Sequence, residues 1–305
     1  MKAAVCTAYG PPEVLKITEL PKPVPRPNEV LIKIMATTVN SGDVRTRGLA
    51  VKGVLKLVMR VVLGFNKPRK PVLGIVLSGV VEQIGEKVTN FQPGDEVIAS
   101  TGMKFGCHAQ YIALHENALV VQKPKNASYE DAAAIIFGGM SAIYFLEKAR
   151  IASKPGKRVL IYGATGSVGA AAVEIARYYK AHVTAVCGPH GVNLTKELGA
   201  DAIVVYTVQD FTKLDQQFDI VFDAVGKISK KQSRKLIAKN GKFVTVGGLD
   251  VAKETKEQLT QLQQLYENGE IHAHIDRSYS LDEIIEAHRY VDTGRKKGNV
   301  VITLR

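Results

Sequence analysis

Cysteine is scarce in this chain of 305 residues, which has only Cys6, Cys107 and Cys187. Three scattered cysteines cannot build a disulfide framework, so the class of small disulfide-stapled secreted domains is excluded. The N-terminal segment also lacks the continuous apolar run of a signal peptide, because Pro11 and Pro12 interrupt it. We therefore expect a protein of the reducing cytoplasm.

Aromatic residues do not interleave with the many basic ones. Lys and Arg number 41 against 29 Asp and Glu, for a net charge of +12. No zinc knuckle or recognition-helix pattern accompanies this charge, so no nucleic-acid partner is expected. A basic surface also attracts a dinucleotide that carries several negative charges.

Long apolar runs are also missing, apart from "LAVKGVLKLVMRVVLGF" at residues 49–65. This run is shorter than the roughly 20 residues of a membrane span and contains three cations, so we expect no integral membrane association. Lys52, Lys56 and Arg60 recur every four residues and would share one face of a helix. Two interpretations remain open: a peripheral basic amphipathic helix, or a surface helix packed on its own domain.

The pattern of apolar and polar residues changes near Ser128. The residues before it are rich in short Val/Ile runs separated by turn residues, which predicts strands. Ser128, with Asp131 three positions later, resembles the N-cap of an Ala-rich helix. Beyond it, "RVLIYG", "AHVTAVC", "DAIVVY" and "FDIVFDAVG" alternate with helical segments. This alternation predicts a parallel sheet covered on both faces.

A glycine-rich turn follows "RVLIYG" and opens a helix predicted from about residue 167 to 179. Gly163 permits a backbone conformation closed to other residues, Gly166 allows a pyrophosphate to approach, and Gly169 lets the helix pack on the strand. Ser167 and Val168 would present N–H groups at the positive end of the helix. In this strand–turn–helix–strand context, the pattern predicts a dinucleotide site.

No acidic residue ends the second strand of this unit, where "GPHGVN" follows Cys187 and the first acid is Glu197. A carboxylate there would bind the ribose 2′-hydroxyl of NAD and repel the 2′-phosphate of NADP. Its absence favours NADP(H). His190 could contact that phosphate, or could be an exposed loop histidine.

Taken together, "VNSGDVRTRG", "PVLGIVLSGVVEQIGEKV", "FGCHAQYIAL", "IYGATGSVGAAAVEIAR" and "EAHRYVDTGRKKGNVVI" resemble the medium-chain dehydrogenase/reductase superfamily, within it the zinc-independent quinone oxidoreductase branch. The resemblance implies an α/β protein with two domains. A GroES-like, β-rich catalytic domain would cover residues 1–123, completed by 266–305. A doubly wound Rossmann dinucleotide-binding domain would cover residues 124–265, with the active site in the cleft between the domains, and a homodimer is possible.

Zinc-containing members of the superfamily carry a catalytic Cys where this sequence has Asn40, and Gly-His-Glu where it has Gly74, Ile75 and Val76. None of Asn40, Ile75 and Val76 is a zinc ligand. Three cysteines also cannot supply the structural four-cysteine lobe of the zinc members. We therefore expect no metal.

Without a Lewis acid, oxidation of an ordinary alcohol is difficult, whereas hydride transfer to a conjugated acceptor is easier. The implied function is NADPH-dependent reduction of a quinone or an α,β-unsaturated carbonyl, with a non-catalytic NADP(H)-binding redox sensor as the alternative. Asn40 could donate to the acceptor oxygen, and Asp43 could orient the loop through Arg45 or Arg47. Both could instead be ordinary turn formers.

Further cofactor contacts are implied by the resemblance, and one of them, His190, is also suggested by the missing acid after Cys187. Each has a structural alternative, such as strand-end packing for the tyrosine or helix packing for the helical glycine. The two positions after the second strand differ from the Ser and basic residue of many relatives, which puts tight NADPH selectivity in question. The positions are Gly139, Ser141, Gly188, His190, Tyr206, Val246 and Gly247.

Overall fold

The chain divides into two compact units, one of Met1–Ile136 with Ile275–Arg305 and one of Phe137–His274. The computed structural model describes residues 1–50, 54–248 and 250–304. The elements are, in chain order, β1 (Lys2–Cys6), β2 (Leu15–Glu19), β3 (Glu29–Thr38), α1 (Ser41–Gly48), α2 (Val54–Leu63), β4 (Val76–Ile84), β5 (Glu96–Ser100), β6 (Tyr111–His115), β7 (Leu119–Gln122), α3 (Tyr129–Lys148), β8 (Arg158–Tyr162), α4 (Ser167–Tyr178), β9 (His182–Cys187), α5 (Val192–Glu197), β10 (Ala202–Val205), β11 (Phe218–Asp223), β12 (Ile237–Thr245), α6 (Lys256–Glu267), β13 (Ile275–Ser280), α7 (Ile284–Asp292) and β14 (Asn299–Thr303).

The first unit is built on the β-rich segments that the sequence predicts. Its large sheet has the order β13-β14-β3-β4-β5-β7, with β6 also paired to β3, and β1 and β2 form a separate pair. All of these pairings are antiparallel except β13 with β14. Alternate residues of β3, namely Val30, Ile32 and Ile34, are fully buried in the core of this unit.

Residues 49–65 do not form the continuous helix that the cation spacing suggests. Leu49 has a left-handed backbone, with φ of 44°, and caps α1. Residues 51–53 lie outside the described residues, and the described helix begins at Val54. The preceding helix α1 begins at a capping box formed by Asn40 and Asp43. From the sequence, these polar residues could also be turn formers. The helix was not evident because α1 is short and has no apolar periodicity.

The second unit contains the predicted parallel sheet, in the order β10-β9-β8-β11-β12. The strand order reverses beside β8, and in open α/β sheets ligands bind outside the carboxyl ends of the strands at such a point. The α/β fold class is therefore confirmed. Two local predictions also hold: the Asp131 N–H donates to Ser128 Oγ at 3.0 Å, and Gly199 ends α5 with φ of 75°.

None of the described helices combines the length and the apolar character that crossing a bilayer requires.

Candidate active site

The turn after β8 is held closely against β9. The N–H groups of Gly163 and Ala164 both donate to the Val186 carbonyl, at 2.9 and 3.2 Å. The Gly166 N–H donates to the Gly163 carbonyl at 3.2 Å, and Gly166 is the N-cap of α4. Gly163 has φ of 78°, a conformation that side chains rarely adopt. The turn is thereby fixed with its backbone at the N-terminus of α4.

The three glycines of this turn meet different demands. A Cβ on Gly163 would lie 2.0 Å from Cγ2 of Val225, and one on Gly169 would lie 2.1 Å from the Gly163 carbonyl oxygen. Packing of the protein itself therefore requires both glycines. A Cβ on Gly166 would meet only the Gly163 carbonyl oxygen, at 3.7 Å, which is ordinary contact. Close approach of an external group explains a glycine at position 166, and a pyrophosphate is such a group.

The first turn of α4 completes an anion-binding arrangement. This helix has 12 residues, and its first N–H groups lack intrahelical partners and carry the positive end of the helix dipole. Ser167 and Val168 lie in this turn with their side chains buried. The residues of the turn thus fit the phosphates of a dinucleotide, although their individual contacts stay predictions.

A buried carboxylate that sequence reasoning missed organises the loop after β11. Asp223 is fully buried, and its oxygens accept the four backbone N–H groups of residues 225–228 at 2.9–3.2 Å. It also accepts the Thr245 hydroxyl at 2.9 Å. These hydrogen bonds offset the cost of burying the carboxyl group. The available sequence signal was an acid directly after the apolar run of residues 220–222.

The loop held by this aspartate touches two turns predicted to bind the cofactor. Its Val225 side chain lies against Gly163, as the blocked Cβ position there indicates. Its Gly226, with φ of 82°, packs so closely on Gly247 that a Cβ on Gly247 would lie 2.4 Å from the Gly226 Cα. The Val246 N–H donates to the backbone carbonyl of the same aspartate at 3.0 Å. Asp223 therefore positions the glycine turn and the Val246–Gly247 turn relative to each other.

The predicted 2′-phosphate residues gather at the carboxyl ends of β9 and β10. A Cβ on Gly188 would lie 3.0 Å from the Tyr206 hydroxyl. Tyr206 is 50% exposed, with its ring centroid 6.3 Å from that of Tyr162. His190 is exposed in the short helical turn that follows Gly188. The site offers a hydroxyl and an imidazole at this edge, and the next acid in the sequence, Glu197, is on α5.

The two predicted contacts on α3 have a different setting. A Cβ on Gly139 would lie 2.3 Å from Cδ1 of Leu262 in α6, so helix packing alone accounts for this glycine. The Ser141 side chain is buried. Contact of either residue with the cofactor stays a prediction.

In the first unit, Asn40 and Asp43 belong to one hydrogen-bonded cluster. Asn40 Oδ1 accepts the N–H groups of Gly42 and Asp43, at 2.8 and 3.2 Å. Asp43 accepts the Asn40 N–H at 3.0 Å and the Gly74 N–H at 3.1 Å. Asn40 is only 3% exposed, and its Nδ2 has no acceptor within the described part of the chain. The cluster therefore holds a buried amide donor in a fixed orientation.

Asp43 orients its loop through backbone amides rather than through the expected arginines. Arg47 donates to Asp292 instead, at 2.7 Å, and to the Gly10 carbonyl at 3.1 Å. Burial raises the pKa of the Asp43 carboxyl, while the charge of His108 and the two backbone N–H groups oppose that rise. The expectation that Asp43 contacts an arginine is therefore not met, and Arg47 contacts α7 instead.

Two buried histidines lie beside this cluster, and sequence reasoning missed them. His108 Nε2 lies 3.0 Å from the Thr38 carbonyl oxygen, and its ring meets that of His288 edge-on at 5.6 Å between centroids. His288 is fully buried, and neither of its ring nitrogens has a partner among the described residues. Burial, and then the charges of His108 and Arg47, hold the pKa of His288 well below 6.5. His288 is therefore neutral near pH 7.

The residues at the zinc-ligand positions of the superfamily show no metal geometry. Val76 is fully buried in β4, and Ile75 packs against the core of the first unit. Within residues 1–50, 54–248 and 250–304, no cluster of three or more His, Cys, Asp or Glu could hold a metal ion.

Two family profiles match the chain. One is described as the alcohol dehydrogenase GroES-like domain and matches residues 26–125. The other is described as zinc-binding dehydrogenase and matches residues 198–302.

Similar proteins include two plant reductases. The 2-methylene-furan-3-one reductase of Solanum lycopersicum is 33% identical over 319 residues, which cover 99% of this chain and 79% of that protein. The chloroplastic NADPH-dependent alkenal/one oxidoreductase of Arabidopsis thaliana is 28% identical with the same coverage. Among solved structures, the quinone oxidoreductase of Coxiella burnetii aligns with a TM-score of 0.89 and 28% identity, over 100% of this chain and 99% of that one.

Proposed function

Since the chain belongs to the medium-chain dehydrogenase/reductase superfamily, in its quinone oxidoreductase branch, and is an oxidoreductase that uses a nicotinamide cofactor, we propose that it is a zinc-independent, NADPH-dependent reductase of quinones or α,β-unsaturated carbonyls. The named activities of the relatives support this acceptor class. When a conjugated enone, an alkenal or a quinone accepts hydride, it becomes an enolate or a hydroquinone anion. The negative charge of that anion is delocalised over the conjugated system.

The buried amide of Asn40 is the observation that carries the proposal. A zinc ligand at this position would hold Zn²⁺, which acts as a Lewis acid. Asn40 instead offers a neutral N–H donor. Its Oδ1 is committed to capping α1, and its buried Nδ2 has no acceptor among the described residues, so an acceptor oxygen that enters beside it would satisfy this donor. One such donor suits an enolate or a hydroquinone anion better than an undelocalised alkoxide.

The chain's own residues divide the work. The backbone of residues 163–169 and the N-terminus of α4 would hold the pyrophosphate. Bound there, NADPH supplies a hydride. Asn40 would donate to the acceptor oxygen as negative charge develops on it, and Asp43 keeps the amide oriented through the backbone of the same turn. Asp223 is a positioning residue, because it fixes the loop that supports both cofactor turns.

The preference for NADPH is supported by Gly188, which stands at the end of β9 where a carboxylate would favour NADH. Gly188 has φ of −81° and ψ of 169°, which Asp can also adopt, so Gly188→Asp introduces the missing carboxylate without backbone strain. The neighbouring Tyr206 hydroxyl is the far end of an exposed side chain and can yield. We expect NADPH to bind more weakly and NADH more tightly in Gly188→Asp than in the parent. Unchanged affinities would contradict the assignment of this edge to the 2′-phosphate.

Turnover tests the function itself. Oxidation of NADPH and of NADH is followed with a benzoquinone, a naphthoquinone, an alkenal and a simple saturated aldehyde, before and after dialysis against a chelator. We expect NADPH oxidation with the conjugated acceptors, none with the saturated aldehyde, and no effect of the chelator. NADPH binding without turnover would favour the redox sensor instead. Loss of turnover on chelation would refute zinc independence. The cytoplasmic location and the homodimer stay predictions.

A further inference from the structure

Helix α2 presents apolar side chains on two opposite faces. Met59 and Leu63 lie one turn apart and pack against the core of the first unit. Leu57 and Val61 also lie one turn apart, but they are 61% and 51% exposed. At about 100° per residue, these two project from the side opposite to Met59 and Leu63. A helix that is apolar on both sides is normally buried on both, so the outer face of α2 lacks the cover that its composition requires.

The exposed apolar surface continues beyond the helix. Val62 is 54% exposed and Phe65 is 56% exposed. The segment after the helix is fastened, since the Tyr9 hydroxyl donates to the Gly64 carbonyl at 2.9 Å and the Arg69 N–H donates to the Leu63 carbonyl at 2.6 Å. Single exposed apolar residues need no explanation, but a set of four along one fastened segment indicates a contact surface.

The stretch of sequence that contains this surface has charge of one sign. Between Asp43 and Glu82 the sequence contains eight Lys and Arg and no acidic residue. Among the described side chains, Arg45 and four cations on or directly after α2 are exposed; these four are Arg60, Lys67, Arg69 and Lys70. None of the ion pairs formed by the described residues involves them. The partner of this surface must therefore combine negative charge with an apolar interior.

We propose that this surface docks on an anionic lipid bilayer. The α2 surface consists of the apolar side chains Leu57, Val61, Val62 and Phe65 and the cations Arg60, Lys67, Arg69 and Lys70. The apolar side chains enter the boundary between headgroups and acyl chains, and the cations meet lipid phosphates, as in other interfacial amphipathic helices. A second copy of the chain fits less well, because a two-fold contact would set the same cations against each other. RNA would leave the apolar face uncovered.

Sedimentation of the full chain with vesicles tests this surface. Vesicles of phosphatidylcholine are compared with vesicles that also contain phosphatidylglycerol, and binding is expected only with the latter and less at high salt. Arg69→Gln with Lys70→Gln should weaken binding by about fivefold per charge. Leu57→Gln with Val61→Gln should weaken it by at least about tenfold.

Matched control variants carry the same changes elsewhere. Val208→Gln with Val251→Gln replaces two valines that are 85% and 77% exposed, and Lys239→Gln with Lys242→Gln removes two exposed cations of the other unit. Both control pairs should bind vesicles like the parent. Equal losses in the control and α2 variants would overturn the proposal, because binding would then follow overall charge or hydropathy.

Two further results would also overturn it. Light scattering that detects a dimer in the parent and a monomer in the Leu57→Gln, Val61→Gln variant would assign the surface to a second copy. Loss of turnover with a water-soluble quinone in that variant, with an unchanged circular dichroism spectrum, would place the surface over the acceptor site. Unchanged turnover together with lost vesicle binding supports the bilayer contact, and vesicle binding is measured independently of the proposed reaction.

Discussion

Gly166 and Gly169 lie on the same turn, but adding one methyl group should affect cofactor binding at Gly166 and stability at Gly169. A Cβ at Gly166 would have only the Gly163 carbonyl oxygen within 4 Å, at 3.7 Å. A Cβ at Gly169 would collide with three backbone atoms of the turn at 2.1–2.8 Å. Gly166→Ala should therefore leave the fold intact and weaken dinucleotide binding, whereas Gly169→Ala should destabilise the second unit.

The magnitudes follow from these positions. Ala is a poorer N-cap than Gly by roughly 0.5–1 kcal/mol, and the lost freedom of the unfolded chain returns about 0.4–1 kcal/mol, so the stability of Gly166→Ala should stay within about 1 kcal/mol of the parent. Displacing a phosphate from even one backbone N–H loses a charge-assisted bond of about 1.5–3 kcal/mol, hence at least about tenfold in affinity. Gly169→Ala forces a backbone shift that should cost about 1–3 kcal/mol and lower the melting temperature by roughly 2–10 °C.

Two assays separate these effects. Thermal melting is followed by circular dichroism, because the chain has no Trp to report unfolding by fluorescence. NADPH affinity is measured from the fluorescence of the cofactor itself. If Gly166→Ala bound NADPH as tightly as the parent, the assignment of this turn to the pyrophosphate would be refuted. If Gly169→Ala melted like the parent, close packing of Gly169 on Gly163 would not be what requires a glycine there.

Further predictions concern the buried polar groups. Asn40→Ser keeps a capping oxygen but loses the amide donor, so kcat should fall by about 100-fold with NADPH affinity unchanged; the reverse pattern would remove Asn40 from the acceptor site. Asp223→Asn sets an amide against backbone N–H groups, which should cost about 1–3 kcal/mol per group left unpaired and weaken NADPH binding. Asp210→Asn is the control and should change neither, because this exposed side chain accepts only from nearby Thr212 and lies 3.9 Å from the exposed Lys213 ammonium among the described residues. His288 stays neutral in the folded protein, whereas in the unfolded chain it gains a proton below pH 6.5. The free energy of unfolding should therefore decrease as pH falls below 6.5, by up to about 1.4 kcal/mol per pH unit, and His288→Phe should remove that part of the slope in urea titrations.

Local patterns predicted the second unit well. Alternating apolar strands and helices indicated its parallel sheet, and the strand–turn–helix context of Gly163, Gly166 and Gly169 located the turn at the switch point beside β8. The sequence did not reveal which of these glycines the protein's own packing requires. That distinction depends on Val225, whose side chain reaches Gly163 only because β11 pairs with β8.

Groups whose partners are distant in sequence escaped prediction. His108 and His288 are separated in sequence by the whole second unit. They meet because α7 belongs to the first unit. Asp223 reads as one acid at the end of a strand, and its role depends on the path of the loop that follows. The capping box of Asn40 and Asp43 was visible as a polar pair, but the contact of Asp43 with Gly74 joins two segments that only the fold brings together.

The carbon atom that receives the hydride distinguishes reduction of a conjugated acceptor from reduction of an ordinary carbonyl. The protein is given an alkenal and NADPH that carries deuterium at the transferable C4 position, and the product is analysed by NMR and mass spectrometry. We expect a saturated aldehyde with deuterium on the former β-carbon. Deuterium on the carbonyl carbon of an allylic alcohol would contradict this expectation.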